Sequence, residues 1–256
     1  EQTWPYYSFY LYEDPSINFS KRPQVQSYTQ NSKSALFNGM INPIIPYNIK
    51  GSIWYQGENN VSRFKEYETL FPAMIKDWRK KWNSDFPFYF VQIAPFENYN
   101  GLSSSLRNVQ RKTLKVEKTG MVVTLDIGEI DDIHPSNKHD VGYRLAGLAL
   151  SNDYGKSMVA SGPLYKNFEV SGNTLNVTFD FIGSGLTSYD KELSAFEIAG
   201  ADKKYVAAEA YIKNNKVYIY SSKIQNPKYA RYAWKDTSVA SLFNREGLPA
   251  STFTTE

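Results

Sequence analysis

Cysteine is absent from this chain of 256 residues, and histidine occurs only twice. Without thiols there is no disulfide framework, no thiolate nucleophile and no cysteine metal site, so redox logic gives no compartment. No apolar run of 18 residues is present to cross a bilayer, and no signal peptide stands at Glu1, an absence that a trimmed exported chain would share. An excess of one charge is missing too. Lys and Arg number 29 against 26 Asp and Glu, a formal balance of +3 with no basic block, which offers no footprint for nucleic acid or a membrane surface.

What the chain has in quantity is aromatic: 20 Tyr, 15 Phe and 5 Trp, within a hydrophobic fraction of 41% that can support real cores. Aromatic rings stack on sugars, and they also fill β-sandwich cores. Residues 1–34 carry Pro5, Pro15, Pro23 and a polar Ser/Gln/Asn-rich tail with no sustained period, which reads as an extended arm. Residues 35–157 alternate strand and helix. Ile49–Tyr55 reads as a buried strand, followed by a long amphipathic helix from Ser62, its N-cap, with a kink at Pro72. Phe86–Ala94 is a second strand, Leu102 to Leu114 a second helix, Met121–Leu125 a third strand, and the pattern after His139 a third helix. Such an order predicts an α/β fold with a parallel sheet covered on both faces. From 158 to 256 the period changes to alternation, as in Leu175, Val177, Phe179 and Phe181, and Tyr211–Tyr220 reads as a hairpin around Asn214-Asn215. This last part reads as a β-sandwich domain.

Both histidines lie in one strand-to-helix loop, 126–140, with four acidic residues, Asp126, Glu129, Asp131 and Asp132, ahead of them and a further Asp at 140. Asp131 and His134 are three apart, so the carboxylate can accept a hydrogen bond from one ring nitrogen and leave the other facing a cleft as a general base. For an isolated Asp-x-x-His, an ordinary polar loop with a satisfied histidine is the better reading. Half of a metal site with His139 fits poorly, because the spacing matches no ligand pattern and no cysteine helps. Gln56-Gly57-Glu58 closes the first strand, where a side-chain amide can donate to a developing oxyanion, or where the chain simply turns. Asn38-Gly39 is either a tight turn or a second oxyanion donor through the Gly39 N–H.

Leu36–Ile41, Ile53–Asn59, Phe71 through Trp78-Arg79, Phe88 through Gln92, Arg107 with Gln110, Asp131–Pro135, Arg231–Trp234, and Asn244–Ala250 with Phe253 and Thr254 together resemble the sialate O-acetylesterases of the SGNH/GDSL hydrolase superfamily. The resemblance implies a three-layer α/β/α sheet followed by a sandwich, and an extracytoplasmic serine esterase acting on an O-acetylated sugar such as sialic acid without a cofactor. It implies His134 as base, Asp131 as its orienting acid, and Gly39 and Gln56 as oxyanion donors. Arg107 and Gln110 match the family as either cleft wall or scaffold. Glu58 stands behind the reacting groups or complements a helix dipole. Asn38 belongs to the same cleft.

The family's nucleophilic serine follows glycine on a first strand, and none of Ser8, Ser16, Ser20, Ser32 or Ser34 has that setting. The expectation is a chain whose sheet is incomplete at its N-terminal strand, inactive alone, and completed by an N-terminal segment of the same protein. The alternative is a carbohydrate-binding or assembly protein without catalysis.

Overall fold

The computed structural model describes residue 29 and residues 32–256; most of the expected arm, 1–34, lies outside them. Residues 50–80 and 85–256 form one compact unit, and residues up to 49 with 81–84 form another. In the second of these, Phe37–Ile41 makes one π-helical turn, with Asn38 N–H donating to Ser34 O at 2.8 Å, and Asn42–Ile44 a 3-10 turn. Asn38-Gly39 is therefore helical, not a tight turn.

The larger unit begins with a parallel sheet of β1 (Ser52–Trp54), β2 (Phe88–Val91) and β3 (Thr119–Val122), in that spatial order. Ser52 registers with Phe88, and Phe88 with Thr119. Helix α1 (Phe64–Trp82) buries Tyr67, Phe71, Ile75 and Arg79, an i, i+4 stripe, against the face carrying Trp54, Phe88 and Phe90. The helix runs on through Pro72. Ser62 is not its N-cap: a 3-10 segment, Glu58–Arg63, precedes the helix and contains that serine.

Helix α2 (Ser103–Thr113) connects β2 to β3, and α3 (Lys138–Asn152) follows the loop after β3. Val141, Leu145 and Leu148 of α3 pack on Tyr89, Val91 and Val122, the opposite face of the sheet. Both faces of the central strand are thus covered, as the continuous apolar run at Phe88–Val91 requires. β1 departs from expectation. It is an edge strand, and Ile53 on it is 69% exposed rather than buried.

Antiparallel strands make up the rest. β4 (Leu164–Ser171), β5 (Thr174–Asp180), β6 (Leu186–Thr187), β7 (Phe196–Ala199), β8 (Val206–Ala207), β9 (Glu209–Lys213), β10 (Lys216–Tyr220), β11 (Tyr229–Tyr232), β12 (Phe243–Asn244) and β13 (Phe253–Thr254) follow in chain order. They form sheets β4-β5-β10-β9 and β13-β11-β7-β8, and the pair β12-β6. β9 and β10 are the expected hairpin. Asn214 and Asn215 take φ of 52° and 57°, the two-residue loop that matches strand twist. Phe253 stacks on Tyr165 at 5.0 Å and meets Phe179 edge-on at 5.7 Å, joining the two four-stranded sheets.

Candidate active site

Because the sheet is parallel, the loops after β1 and β3 leave from the same, carboxyl end, where α/β proteins bind ligands. The first loop carries Gln56, Gly57 and Glu58; the second carries Asp131 and His134. Lys138, at the start of α3, ties them together. Its Nζ donates to Pro135 O at 2.5 Å and sits 5.4 Å from the centre of the Tyr55 ring. Burial, with a smaller contribution from Glu58, pushes the Tyr55 phenol up to about 12.

Gln56 is held by main chain and side chain. Tyr67 Oη lies 3.2 Å from Gln56 Oε1 and 3.3 Å from its carbonyl, and Gln56 Nε2 donates to Asn60 Oδ1 at 2.6 Å. An amide nitrogen has two protons, so one N–H of Gln56 stays uncommitted. Gln110, buried on α2, donates from Nε2 to the carbonyls of Gln56 and Val91 and accepts from Ile93 N–H at 3.0 Å. Gly57 has φ of 156°, and a Cβ there would stand 3.0 Å from Ile93 Cγ2 and 3.1 Å from Gln110 Nε2. Glu58 opens the 3-10 segment, where its charge complements the N-terminal end of the following helix.

The second loop is cinched at its neck. Glu129 accepts from Ser136 N–H at 2.7 Å and from Ser136 Oγ at 2.5 Å, closing residues 130–135 into a tip. Those two bonds hold the Glu129 carboxyl below the usual range. Further down, Arg144 of α3 grips Asp126 with Nη1 at 2.8 Å and Nη2 at 2.5 Å and also donates to Val123 O. Asn137 caps α3 by accepting from Asp140 N–H at 3.1 Å.

At the tip, His134 exposes 88% of its side chain. The expected hydrogen bond between it and Asp131 is not made; among the described residues Asp131 makes no side-chain hydrogen bond. Asp132 stands nearer. Its Oδ1 accepts from His134 N–H at 2.7 Å and lies 3.9 Å from Nδ1. The backbone bond turns Asp132 inward along the chain and leaves Asp131 in solvent. His139 points elsewhere, with Nδ1 3.1 Å from Asp140 Oδ1.

Arg107 does not line a cleft. It is fully buried and donates from Nε to Thr252 Oγ1 at 3.0 Å and from Nη2 to the carbonyls of Ala233 and Lys235 at 3.0 and 2.7 Å. Burial draws its pKa down to about 10, so it remains a cation at neutral pH. Asp236 completes the junction by accepting from Gly101 N–H, Ser103 N–H and Ser103 Oγ, capping α2 from the β portion. Gly39 and Asn38 belong to the other compact unit, where a Cβ on Gly39 would meet nothing within 4 Å. Sequence reading missed Asn60, Tyr67, Arg144 and Asp236. Tyr67 looked like one more apolar position of a helix stripe, and nothing local distinguishes its hydroxyl. Asn60 is four residues from Gln56, a helix-like spacing that a loop reading hides.

The family model described as carbohydrate esterase, sialic acid-specific acetylesterase matches residues 22–151, just over half of the chain. The chain belongs to this family. Two curated relatives are similar: the sialate O-acetylesterase of Mus musculus, 32% identical over 66% of this chain, and that of Rattus norvegicus, 34% identical over 57%. The chain spans about a third of the length of each, 36% and 32% respectively. Among solved structures, a carbohydrate acetylesterase from Xanthomonas citri superposes with a TM-score of 0.83 at 38% identity, covering 88% of this chain and 54% of that one. The mixed α/β architecture, with one parallel and several antiparallel sheets, therefore matches a carbohydrate esterase fold.

Proposed function

We propose that this chain carries the acid–base and oxyanion half of a carbohydrate O-acetylesterase with an O-acetylated sugar, such as sialic acid, as substrate, and that the nucleophile is a serine supplied from outside residues 32–256. The observation that carries this is the placing of Gln56, with one free amide N–H, and His134, with an accessible imidazole, on two loops at the carboxyl end of one parallel sheet. The edge position of β1 and the exposure of Ile53 favour a further strand beside it, which would bring the serine to the same end.

In this mechanism His134 takes the serine hydroxyl proton as the serine oxygen bonds to the acetyl carbon. Gln56 Nε2–H stabilises the oxyanion, and the proton passes to the departing sugar oxygen as the C–O bond breaks. Water then repeats the sequence and releases acetate. No cofactor enters. Asp131 orients the imidazole once the serine-bearing segment closes on the tip, since catalytic hydrogen bonds tighten in the assembled complex. The proximity of Asp132 to Nδ1 favours a second reading in which that carboxylate does the orienting.

Residues 35–157 are read as a partial SGNH-type domain and 158–256 as a sandwich, with Phe253 and its ring partners as the shared layer. The resemblance to the family supports reading the enzyme as extracytoplasmic; among the described residues no helix is long and apolar enough to cross a membrane. The test is hydrolysis of 4-nitrophenyl acetate and of an O-acetylated sialic acid by the full-length protein and its His134→Ala variant. Turnover that disappears with the imidazole supports the reading. A full-length protein that binds glycans but cleaves neither ester would replace it with a binding role.

A further inference from the structure

Gln56 can serve an oxyanion only if the nitrogen end of its amide faces the cleft, because the oxygen end would repel the developing charge. A terminal amide has two nearly isosteric orientations, so something must choose between them. Two side chains flank the group. Tyr67 Oη stands 3.2 Å from Oε1, and Asn60 Oδ1 receives one Nε2 proton at 2.6 Å. Tyr67 is itself buried at the foot of α1, and that burial raises its phenol pKa, which keeps the hydroxyl a donor at every working pH. Gln110 also donates to the Gln56 carbonyl, which Tyr67 Oη approaches at 3.3 Å as well, so the main chain keeps a partner when Tyr67 is changed and the Asn60 contact acts on the carboxamide alone.

We propose that Tyr67 and Asn60 are positioning residues that lock the Gln56 carboxamide with its second N–H toward the reacting carbonyl. The proposal rests on the reading of Gln56 as oxyanion donor. Tyr67 satisfies the oxygen that would otherwise compete for the cleft, and Asn60 occupies one amide proton so that the other is left in a defined direction. Neither touches substrate; both act through Gln56. Asn60 sits in the 3-10 segment immediately after Gly57, and Tyr67 one turn into α1, so the polar loop and the helix that follows it are one device.

The test is a double-mutant cycle in the full-length esterase, with thermal melts confirming that each variant folds. Tyr67→Phe and Asn60→Ala should each lower kcat about tenfold with KM within about twofold, since a misaimed donor costs transition-state stabilisation and not ground-state binding. In a Gln56→Ala background the same substitutions should change kcat by less than about twofold. Equal losses in both backgrounds would overturn the proposal while leaving the oxyanion reading intact. A Gln56→Ala enzyme with full kcat would instead remove the oxyanion reading on which the proposal rests. Amide NMR of this chain gives an answer independent of turnover. The two Gln56 side-chain protons should exchange at different rates, and Asn60→Ala should abolish the difference; identical exchange in the parent chain would sink the lock. Asn60 is only half-buried, which protects the second variant from the folding cost that Tyr67→Phe carries.

Discussion

Gln110 holds Gln56 by its main chain: the Gln110 amide donates to the Gln56 carbonyl at 3.3 Å while its oxygen accepts from Ile93 N–H at 3.0 Å. A helix side chain thus replaces strand pairing where β1 and β2 end, and the oxyanion loop inherits its position from α2. Gln110→Ala should strand the Val91 carbonyl and the Ile93 N–H in the interior, leave the Gln56 carbonyl to Tyr67 alone, and cost about 2 kcal/mol. Urea unfolding measures that loss, and kcat should fall with it. A variant with wild-type stability would show that these bonds are replaced by water.

The two candidate orienters of His134 separate cleanly. Asp131→Asn should reduce kcat of the full-length esterase by at least about tenfold, while Asp132→Asn, which keeps an oxygen to accept from the His134 N–H but removes the charge near Nδ1, should change it less. The reverse order of losses would assign the orienting role to Asp132. Steady-state kinetics on the pair decides it.

The neck of the loop predicts a pH response. Ser136 holds the Glu129 carboxyl below its ordinary value, so the clamp contributes fully above the unfolded carboxylate pKa and is lost as pH falls through the depressed folded value. Ser136→Ala should raise the Glu129 pKa toward the ordinary range, as read by carboxyl carbon shifts across a titration. An unmoved pKa would mean the loop is closed by something other than these two bonds.

Arg107→Lys predicts that the buried fork cannot be replaced by a point charge. Lysine cannot reach Thr252, Ala233 and Lys235 together, and the lost partners should cost about 3 kcal/mol or more in urea unfolding. Arg107→Met isolates the charge, since an apolar chain of similar length removes the buried cation but leaves the carbonyls unmatched. If lysine proves harmless, the guanidinium geometry is not what secures the β portion to α2.

How far these relationships could be read in advance depends on their range. The apolar run at Phe88–Val91, the i, i+4 stripe of α1 and the Asn-Asn hairpin are encoded within a dozen residues each, and the alternation of strand and helix follows from them. That Gln56 and the Asp-x-x-His loop each follow a strand is legible because an apolar run precedes both. What escaped is long-range or conformational. Asp236 caps a helix 133 residues away, and no local pattern marks it. Ile53 is apolar yet exposed, because periodicity reports a strand's faces and not whether a neighbour covers its edge. The facing of Asp132 toward His134, in place of Asp131, is settled by one backbone hydrogen bond in a loop where three-residue spacing permits either.

Gly57 offers the sharpest separation of geometry from stability. At φ of 156° an alanine is strained, and its Cβ would press on Ile93, Gln110 and Leu106 at 3.0 to 3.2 Å, the contacts that set Gln56. Relief requires the loop to move by a few tenths of an ångström away from α2, carrying the carboxamide with it. Gly57→Ala should therefore cost about 1 to 3 kcal/mol in unfolding and lower kcat by more than that loss of folded protein explains at temperatures well below the melt. Gly39→Ala is the matched control: among the described residues nothing beyond its chain neighbours and its own helix backbone lies within 4 Å of its Cβ position, and its main-chain N–H survives the change. If Gly39→Ala proves the more damaging of the two, the space around that residue is filled in the working enzyme by a part of the site that residues 32–256 do not supply.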